Sequence, residues 1–249
     1  MPGTNYLQIF LNASLIIQVM YILLAAMSVI CWGLAFAKLM QFRRLLKIVA
    51  EDTESLQEAK ELQTAFLNLT PTPGAVTRKV AQAGYDEYQE LRGLSLPQGE
   101  RTQIILDNLR HTLRDEVGRQ AGKSFRPTAF LGVCANAAPL MGLFGTVWGI
   151  FHSFQGFGNM SRAANLMVVG QGLGEALGTT IVGLLVAIPA TLFYNYFLSR
   201  LGELQRNLTY FAQLLLKLIK ADLHQQQVRE LQARRTATTL VKSRPAGDS

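Results

Sequence analysis

Apolar residues run along this chain in three long blocks separated by polar stretches. From Met1 to Ala37 no side chain is charged, from Pro127 to Ser161 none is, and from Ala163 to Ser199 the only charge is Glu175. A bilayer core of about 30 Å is crossed by about 20 apolar residues in helical form, so each block holds one span. The spans are placed at Ser14–Ala37, Thr128–Phe154 and Leu166–Leu198. Three core helices of a large soluble domain are the competing reading, but soluble helices rarely run this far without a charge. The first block is not read as a cleaved signal peptide. It has no basic segment ahead of the apolar run, it is too long, and it ends on Lys38, Arg43, Arg44 and Lys47, a stop-transfer flank.

Between the first two spans the pattern becomes that of helices in water. Glu51–Glu61 is rich in helix formers, Pro71-Thr72-Pro73-Gly74 breaks the run, and a second helix is predicted over Val76–Leu91. Gly93, Pro97 and Gly99 mark another turn, after which a third helix starts near Glu100 and runs into the second span, with Pro127 at the junction. Nothing alternates in the manner of a strand over a useful length. Beyond the third span, Leu201, Leu204, Leu208, Phe211, Leu215 and Leu218 are spaced 3, 4, 3, 4, 3, a heptad seam. It packs either on the chain's own helices or on a neighbouring subunit. Thr236–Ser249 is polar, basic and poor in aromatics, the composition of disorder.

The predicted fold class is an all-α integral membrane protein: three transmembrane helices, a helical cytoplasmic domain, and long helices extending into the cytoplasm. Its segments are a short extracytoplasmic N-terminus (1–13), span 1 (14–37), the cytoplasmic helical segment (38–127), span 2 (128–154) and an extracytoplasmic loop (155–165). Span 3 (166–198), a cytoplasmic helix (199–235) and a disordered basic tail (236–249) complete the chain.

Composition agrees: 49% of residues are hydrophobic and 16% charged, against about 25% charged in soluble domains. The net charge of +7 reports topology rather than nucleic acid. Of the Lys and Arg residues, 14 fall between Lys38 and Arg126, one is Arg162, and nine follow from Arg200 onward. The positive-inside rule puts the segment after the first span and the C-terminal tail in the cytoplasm, and the N-terminus and the Arg162 loop outside. The 12 acidic residues of 39–126 nearly neutralise that segment, which removes a nucleic-acid patch. Cys31 and Cys134 both lie inside spans, so they are small apolar fillers and not a disulfide scaffold. His111, His152 and His224 are far apart in sequence, and His152 reads as a surface histidine near the outer end of span 2. With no metal cluster, P-loop, nucleophile elbow or haem motif, neither an enzyme nor a metal or cofactor is expected.

Glu175 is the exception that carries chemistry. A charged residue at mid-span costs roughly 2.5–3.5 kcal/mol on insertion scales and faces the bundle interior, a water-filled path or a partner. Desolvation also favours its protonated form. Either state suits a proton binder; the alternative is an ion pair that fixes a partner helix, with Arg162 the only basic side chain nearby in sequence. Gly170, Gly174 and Gly178 recur every four residues, and Gly142, Gly145 and Gly149 form a similar stripe in span 2. Such stripes let helices approach closely, so spans 2 and 3 are expected to pack on each other or on symmetry mates. Thr146, Thr179 and Thr180 are the hydroxyls near this packing. At about 100° per residue, Thr179 lies about 40° from Glu175 and Thr180 about 140°; a hydroxyl bonded to its own helix carbonyl is the commoner role. Pro139 and Pro189 free the carbonyls of Ala135 and Leu185, as hinges or as static kinks.

At these residues the sequence resembles the TolQ/ExbB/MotA family of proton-channel subunits. The likeness rests on Pro139-Leu-Met-Gly-Leu-Phe-Gly-Thr-Val-Trp-Gly-Ile-Phe-His-Ser-Phe154 and on Gly174-Glu-Ala-Leu-Gly-Thr-Thr-Ile-Val-Gly-Leu-Leu-Val-Ala-Ile-Pro-Ala-Thr-Leu-Phe-Tyr-Asn195. The order of spans, the large first cytoplasmic segment and the tail agree with it. The opening Asn5-Tyr-Leu-Gln-Ile-Phe-Leu-Asn-Ala-Ser14 is similar to the TolQ branch, whereas Val169–Gly174 lacks the proline the family usually carries before this Glu. The resemblance implies a homo-oligomer, a pentamer in the family, in the bacterial inner membrane around a dimer of a single-span TolR- or ExbD-like partner, with a TolA- or TonB-like energy transducer. It implies conversion of proton motive force into work on the cell envelope, with Glu175, Thr146 and Thr180 on channel-lining positions. An ExbB-like subunit energising outer-membrane transport and a non-conducting membrane scaffold are the alternatives. A solute transporter is disfavoured, since three spans show no internal repeat.

The topology has a direct test. In a background lacking Cys31 and Cys134, Asn159→Cys is expected to react with an impermeant maleimide in intact cells and Gln89→Cys is not. Labelling at position 89 overturns the assignment.

Overall fold

The computed structural model describes residues 14–59, 62–70, 75–93, 101–155 and 162–242. Among them the elements are α1 (Leu15–Glu58), α2 (Leu62–Asn68), α3 (Val76–Gly93), α4 (Arg101–Phe125), a 3₁₀ turn (Arg126–Thr128), α5 (Ala129–Gln155) and α6 (Arg162–Lys242), with no strand. Three stretches are long and apolar enough to cross a membrane: within α1, within the run from Arg101 to Gln155, and within α6. The chain divides into two compact units, Met1–Phe42 with Ser124–Leu201, and Arg43–Lys123 with Gly202–Ser249.

The first unit holds the spans. Its helices expose large apolar side chains, among them Leu15, Val29, Phe36, Leu140 and Leu192. In water such a surface would drive aggregation; against lipid tails it costs nothing. Buried Leu24 of α1 packs in one cluster with Ala138 of α5 and Val186 and Ala187 of α6. Along α1 and α6 the contacts climb together. Tyr21 meets Gly178, Trp32 stands edge-on to Phe193 at 5.4 Å, and Phe42 stacks on Phe197 at 5.8 Å. The two helices therefore run parallel.

Pro127 explains the 3₁₀ turn between α4 and α5. Proline has no N–H to donate and disfavours helical geometry in the residue before it. The tightened turn leaves carbonyls without their usual i+4 partners. One is served from another helix: buried Lys38 donates from Nζ to the Ser124 carbonyl at 3.0 Å and to Gln41 Oε1 at 2.6 Å. The helix expected to start near Glu100 thus passes into span 2 through this turn.

In the second unit the heptad seam is consumed inside the chain. Leu204, Leu208, Phe211 and Leu215 are buried, and Gly84 of α3 comes so close that an added Cβ would lie 2.8 Å from Leu113 and 3.4 Å from Leu215. Packing on the chain's own helices is the reading the structure favours for these four residues. Two polar pins lie within this core. Buried Asp52 of α1 accepts from the Thr70 backbone N–H at 2.9 Å, from the Thr70 hydroxyl at 2.5 Å and from the Thr77 hydroxyl. Fully buried Tyr88 donates to Asp222 Oδ2 at 2.8 Å, and Gln226 Nε2 donates to both, at 3.2 Å and 2.7 Å.

The chain is helical beyond the point expected. Disorder was predicted from Thr236, yet α6 continues to Lys242; residues 236–242 contain neither Gly nor Pro, so nothing local stops the helix. The rest of the tail, residues 1–13, Pro71–Gly74, and Pro97 and Gly99 of the second turn lie outside the described residues.

Tyr88 makes the second unit alkali-sensitive. Burial foremost, then the bond to Asp222 and its charge, push the phenol from 10.0 up to about 12. The folded state keeps a proton that the unfolded state releases, so this contribution is whole below pH 10 and is lost as pH rises towards about 12. The unfolding midpoint is expected to fall over that window, and Tyr88→Phe to flatten part of the fall. A Phe variant with an unchanged slope places the sensitivity elsewhere.

A hydroxyl cluster between spans 2 and 3

Spans 2 and 3 pack antiparallel along a ladder of small residues. A Cβ built on Gly142 would lie 2.9 Å from both the Thr179 carbonyl and the Thr180 Cα, and one on Gly145 would lie 2.7 Å from the Thr179 Cβ. On Gly149 it would meet Ala176 at 2.7 Å, on Gly183 the Ala138 carbonyl at 2.6 Å, and on Gly172 it would collide with Ser153. Glycine is required here because at Gly142 and Gly183 backbone lies against backbone, and at Gly145, Gly149 and Gly172 a small side chain of the facing helix fills the space, with no room for one more carbon.

This approach gathers the three threonines. Thr146 and Thr180 share a hydroxyl–hydroxyl hydrogen bond. The Gly142 carbonyl lies 3.1 Å from the hydroxyls of Thr146, Thr179 and Thr180 alike. The Ala176 carbonyl lies 3.2 Å from the Thr146 hydroxyl and 2.7 Å from that of Thr179. Each hydroxyl has one proton to donate, so three donors share two carbonyls and one another, and more than one donor pattern satisfies the group. Thr179 is fully buried and the other two partly so.

Glu175 stands half-buried beside this ladder, one residue before Ala176. Tyr21 of α1 reaches its backbone: the hydroxyl donates to the Glu175 backbone carbonyl at 3.5 Å and lies 2.6 Å from where a Gly178 Cβ would stand.

The two glycine stripes fare differently. Gly142, Gly145 and Gly149 all face span 3 at contact distance, whereas Gly170 and Gly174 face open space within the chain and Gly178 faces Tyr21. The face of span 3 that meets span 2 is Gly172, Ala176, Thr179 and Gly183, spaced 4, 3, 4. That spacing averages close to the helical period, while a strict repeat of four turns by about 40° at each step. The 4-3-4 row of small residues was the available signal; for Tyr21 there was none. Pro139 and Pro189 lie within continuous helices. His152 is exposed near the end of α5. Among the described residues no group of His, Cys, Asp or Glu could hold a metal.

An all-helical chain with three apolar stretches of membrane-crossing length and a cluster of protic side chains at a span contact defines a polytopic membrane protein of the channel or transport class. The sequence model of the MotA/TolQ/ExbB proton channel family matches residues 74–209, and the chain belongs to that family. The match takes in all of spans 2 and 3 and therefore the hydroxyl cluster and Glu175. The chain is 30% identical to the Tol-Pal system protein TolQ of Pseudomonas aeruginosa over 199 residues, 79% of this chain and 84% of that one. It is 26% identical to TolQ of Haemophilus influenzae over 205 residues, 82% and 88% of the two chains. Against the biopolymer transport protein ExbB of Salmonella typhimurium it is 30% identical over 236 residues, covering 89% and 91%. The family is one of membrane channels rather than enzymes.

The ladder predicts unequal tolerance of added carbon. Gly145→Ala is expected to cost on the order of 1–3 kcal/mol, the usual range for overpacking, and to lower the melting temperature in detergent. Gly174→Ala, which meets nothing within 4 Å, is expected to leave it in place or raise it through helix propensity. Equal losses at the two positions contradict the ladder.

Proposed function

We propose that this chain is the proton-conducting subunit of an inner-membrane motor that converts proton motive force into mechanical work on the cell envelope, of the TolQ type. The observation that carries the proposal is the meeting of Thr146, Thr179 and Thr180 in one hydroxyl cluster beside Glu175, in a chain of a proton-channel family. A threonine hydroxyl accepts and donates but does not ionise near neutral pH. A carboxyl does ionise. Together they supply a titrating site and a hydrogen-bonded lining. In this reading the N-terminus is periplasmic, the second unit and the C-terminus are cytoplasmic, and Pro139 and Pro189 are hinge candidates. The chain assembles as a homo-oligomer, a pentamer, around a single-span TolR- or ExbD-like dimer, with a TolA- or TonB-like transducer receiving the motion. Gly170 and Gly174, free of contacts within the chain, suit contact with a neighbouring subunit or that partner.

An ExbB-like role in energising outer-membrane transport is the second reading, favoured by the extent of the ExbB likeness over 236 residues. A non-conducting scaffold is the third, and Glu175 speaks against it, since a scaffold gains nothing from a carboxyl in a span.

Glu175→Gln decides between conduction and structure. Each proton crossing a 100 mV potential releases about 2.3 kcal/mol, and work is extracted only if a site's occupancy is coupled to movement. The amide keeps shape and hydrogen bonding but cannot titrate. The variant is expected to co-purify with its partner and to lose proton-driven function in an envelope-integrity assay, with Glu175→Asp retaining part. If Glu175 instead holds a basic partner, the amide variant loses assembly, because a buried charge is left uncompensated. Full function in Glu175→Gln sinks the proton-site reading.

A further inference from the structure

We propose that Tyr21 is a positioning residue for Glu175, presenting its hydroxyl from span 1 to the carboxyl that the proton-site reading places at the centre of function. The inference rests on that reading and extends it to a third helix.

The placement is built by two residues. The Tyr21 hydroxyl sits where a Gly178 side chain would begin, 2.6 Å from the position of a Cβ, so Gly178 is what lets the phenol reach α6. Having entered, the hydroxyl lies 3.5 Å from the Glu175 backbone carbonyl, a bond between residues 154 apart in sequence. That carbonyl belongs to a continuous helix and already has its own i+4 donor, so the phenol is a second, long and weak donor to it. It serves the carbonyl without being needed there. Tyr21 and Glu175 also interact electrostatically, so the same hydroxyl lies within the field of the carboxyl.

These facts suit a hydroxyl that exchanges partners. In one position it rests on the backbone carbonyl; in the other it donates to the carboxyl oxygen of the same residue. A phenol is both donor and acceptor, so it steadies the carboxylate by donating and the protonated acid by accepting. The hydroxyls of Thr146 and Thr179 in turn lie on the backbone carbonyl of the next residue, Ala176. Protic groups of span 1 and span 2 thus reach successive backbone carbonyls of span 3, those of Glu175 and Ala176. A purely structural tyrosine would not need its hydroxyl: the ring alone fills the space over Gly178, as Leu24 fills its place one turn further along α1.

The test uses the intact complex, purified with its partner chains from its own membrane and reconstituted in vesicles. Proton flux is followed with an entrapped pH dye for the unaltered chain, Tyr21→Phe, Tyr21→Ala and Glu175→Gln. Infrared difference spectra between acid and neutral samples report the carbonyl stretch of the protonated Glu175 carboxyl, identified as the band missing in Glu175→Gln. Tyr21→Phe is expected to assemble normally, to lower flux about tenfold, the loss of one hydrogen bond to a charged group, and to raise the frequency of that band, because the protonated carboxyl has lost a hydrogen-bond partner. Phe that restores full flux where Ala does not, with an unmoved band, shows that only the ring matters and overturns the proposal. Loss of assembly in Ala alone leaves the Phe comparison decisive. A Glu175→Gln complex that conducts at the normal rate, with no band to assign, fails the proton-site reading itself and is told apart from failure of the Tyr21 role, in which Glu175→Gln blocks and Tyr21→Phe does not.

Discussion

The approach of the span 2 backbone at Gly142 to the span 3 backbone at Thr179, Thr180 and Gly183, with the Thr179 side chain seated on Gly145, is the contact on which the rest depends. In a bilayer, lipid tails are as apolar as leucine, so burying leucine against leucine gains little. What holds two spans together is close packing of small residues and hydrogen bonds that lipid cannot offer. Both are present here, and each requires the other. Only because the glycines admit the opposing backbone can the Gly142 carbonyl receive hydroxyls from its own helix and from the neighbouring one. Only because those hydroxyls have partners can Thr179 be buried without an unsatisfied group.

Much of this was legible in the sequence, for reasons that differ by element. The spans showed plainly because exclusion of charge over 20 or more residues has few causes besides a membrane. Val76–Leu91 showed because Pro and Gly bracket it, and the observed Val76–Gly93 differs by a turn end. Span 2's glycines were read on the correct face. Span 3's meet span 2 less directly within the chain: the spacing of four in Gly170, Gly174, Gly178 drifts around the helix, and the row that does meet span 2 includes Ala176 and Thr179, which composition does not mark out. The heptad seam was ambiguous because period alone says that a stripe is buried and not by what; the approach of Gly84 to Leu215 supplied the answer. The basic tail misled at its start because composition signals disorder as an average, whereas a helix already under way needs only the absence of a stop signal to go on to Lys242.

Tyr21 was invisible to sequence reading on physical grounds. A tyrosine in an apolar span is most simply an aromatic that packs, and which way it faces depends on how α1 is rotated against α6. That rotation is set by contacts such as Trp32 with Phe193 and Phe42 with Phe197, pairs separated by more than 150 residues. Lys38 is similar. A lysine just past a span reads as a topological flank, and its second use, serving the Ser124 carbonyl beside the Pro127 turn, appears only when the helices are assembled.

The separation of Glu175 from the ladder is itself informative. Within the ladder, atoms of the facing helix come within 3 Å of where a side chain on Gly142, Gly145, Gly149, Gly172 or Gly183 would begin, so a carboxyl placed there would have neither room to change rotamer nor access to a proton. Its oxygens would compete with the Gly142 and Ala176 carbonyls for hydroxyl donors that are fully shared. On a face open to lipid it would instead carry the full cost of a charge in hydrocarbon, with only lipid for company. Glu175 occupies the margin between these, half-buried, next in sequence to Ala176, whose carbonyl the Thr146 and Thr179 hydroxyls share, and with the Tyr21 hydroxyl on its own backbone carbonyl. The proton-handling role proposed for Glu175 needs this compromise: enough protein around it to lower the cost of charge, and enough freedom to release what it binds. The glycine contact supplies rigidity next to the carboxyl rather than at it: half-buried Glu175 stands off the row Gly172, Ala176, Thr179 and Gly183 by which its helix is packed.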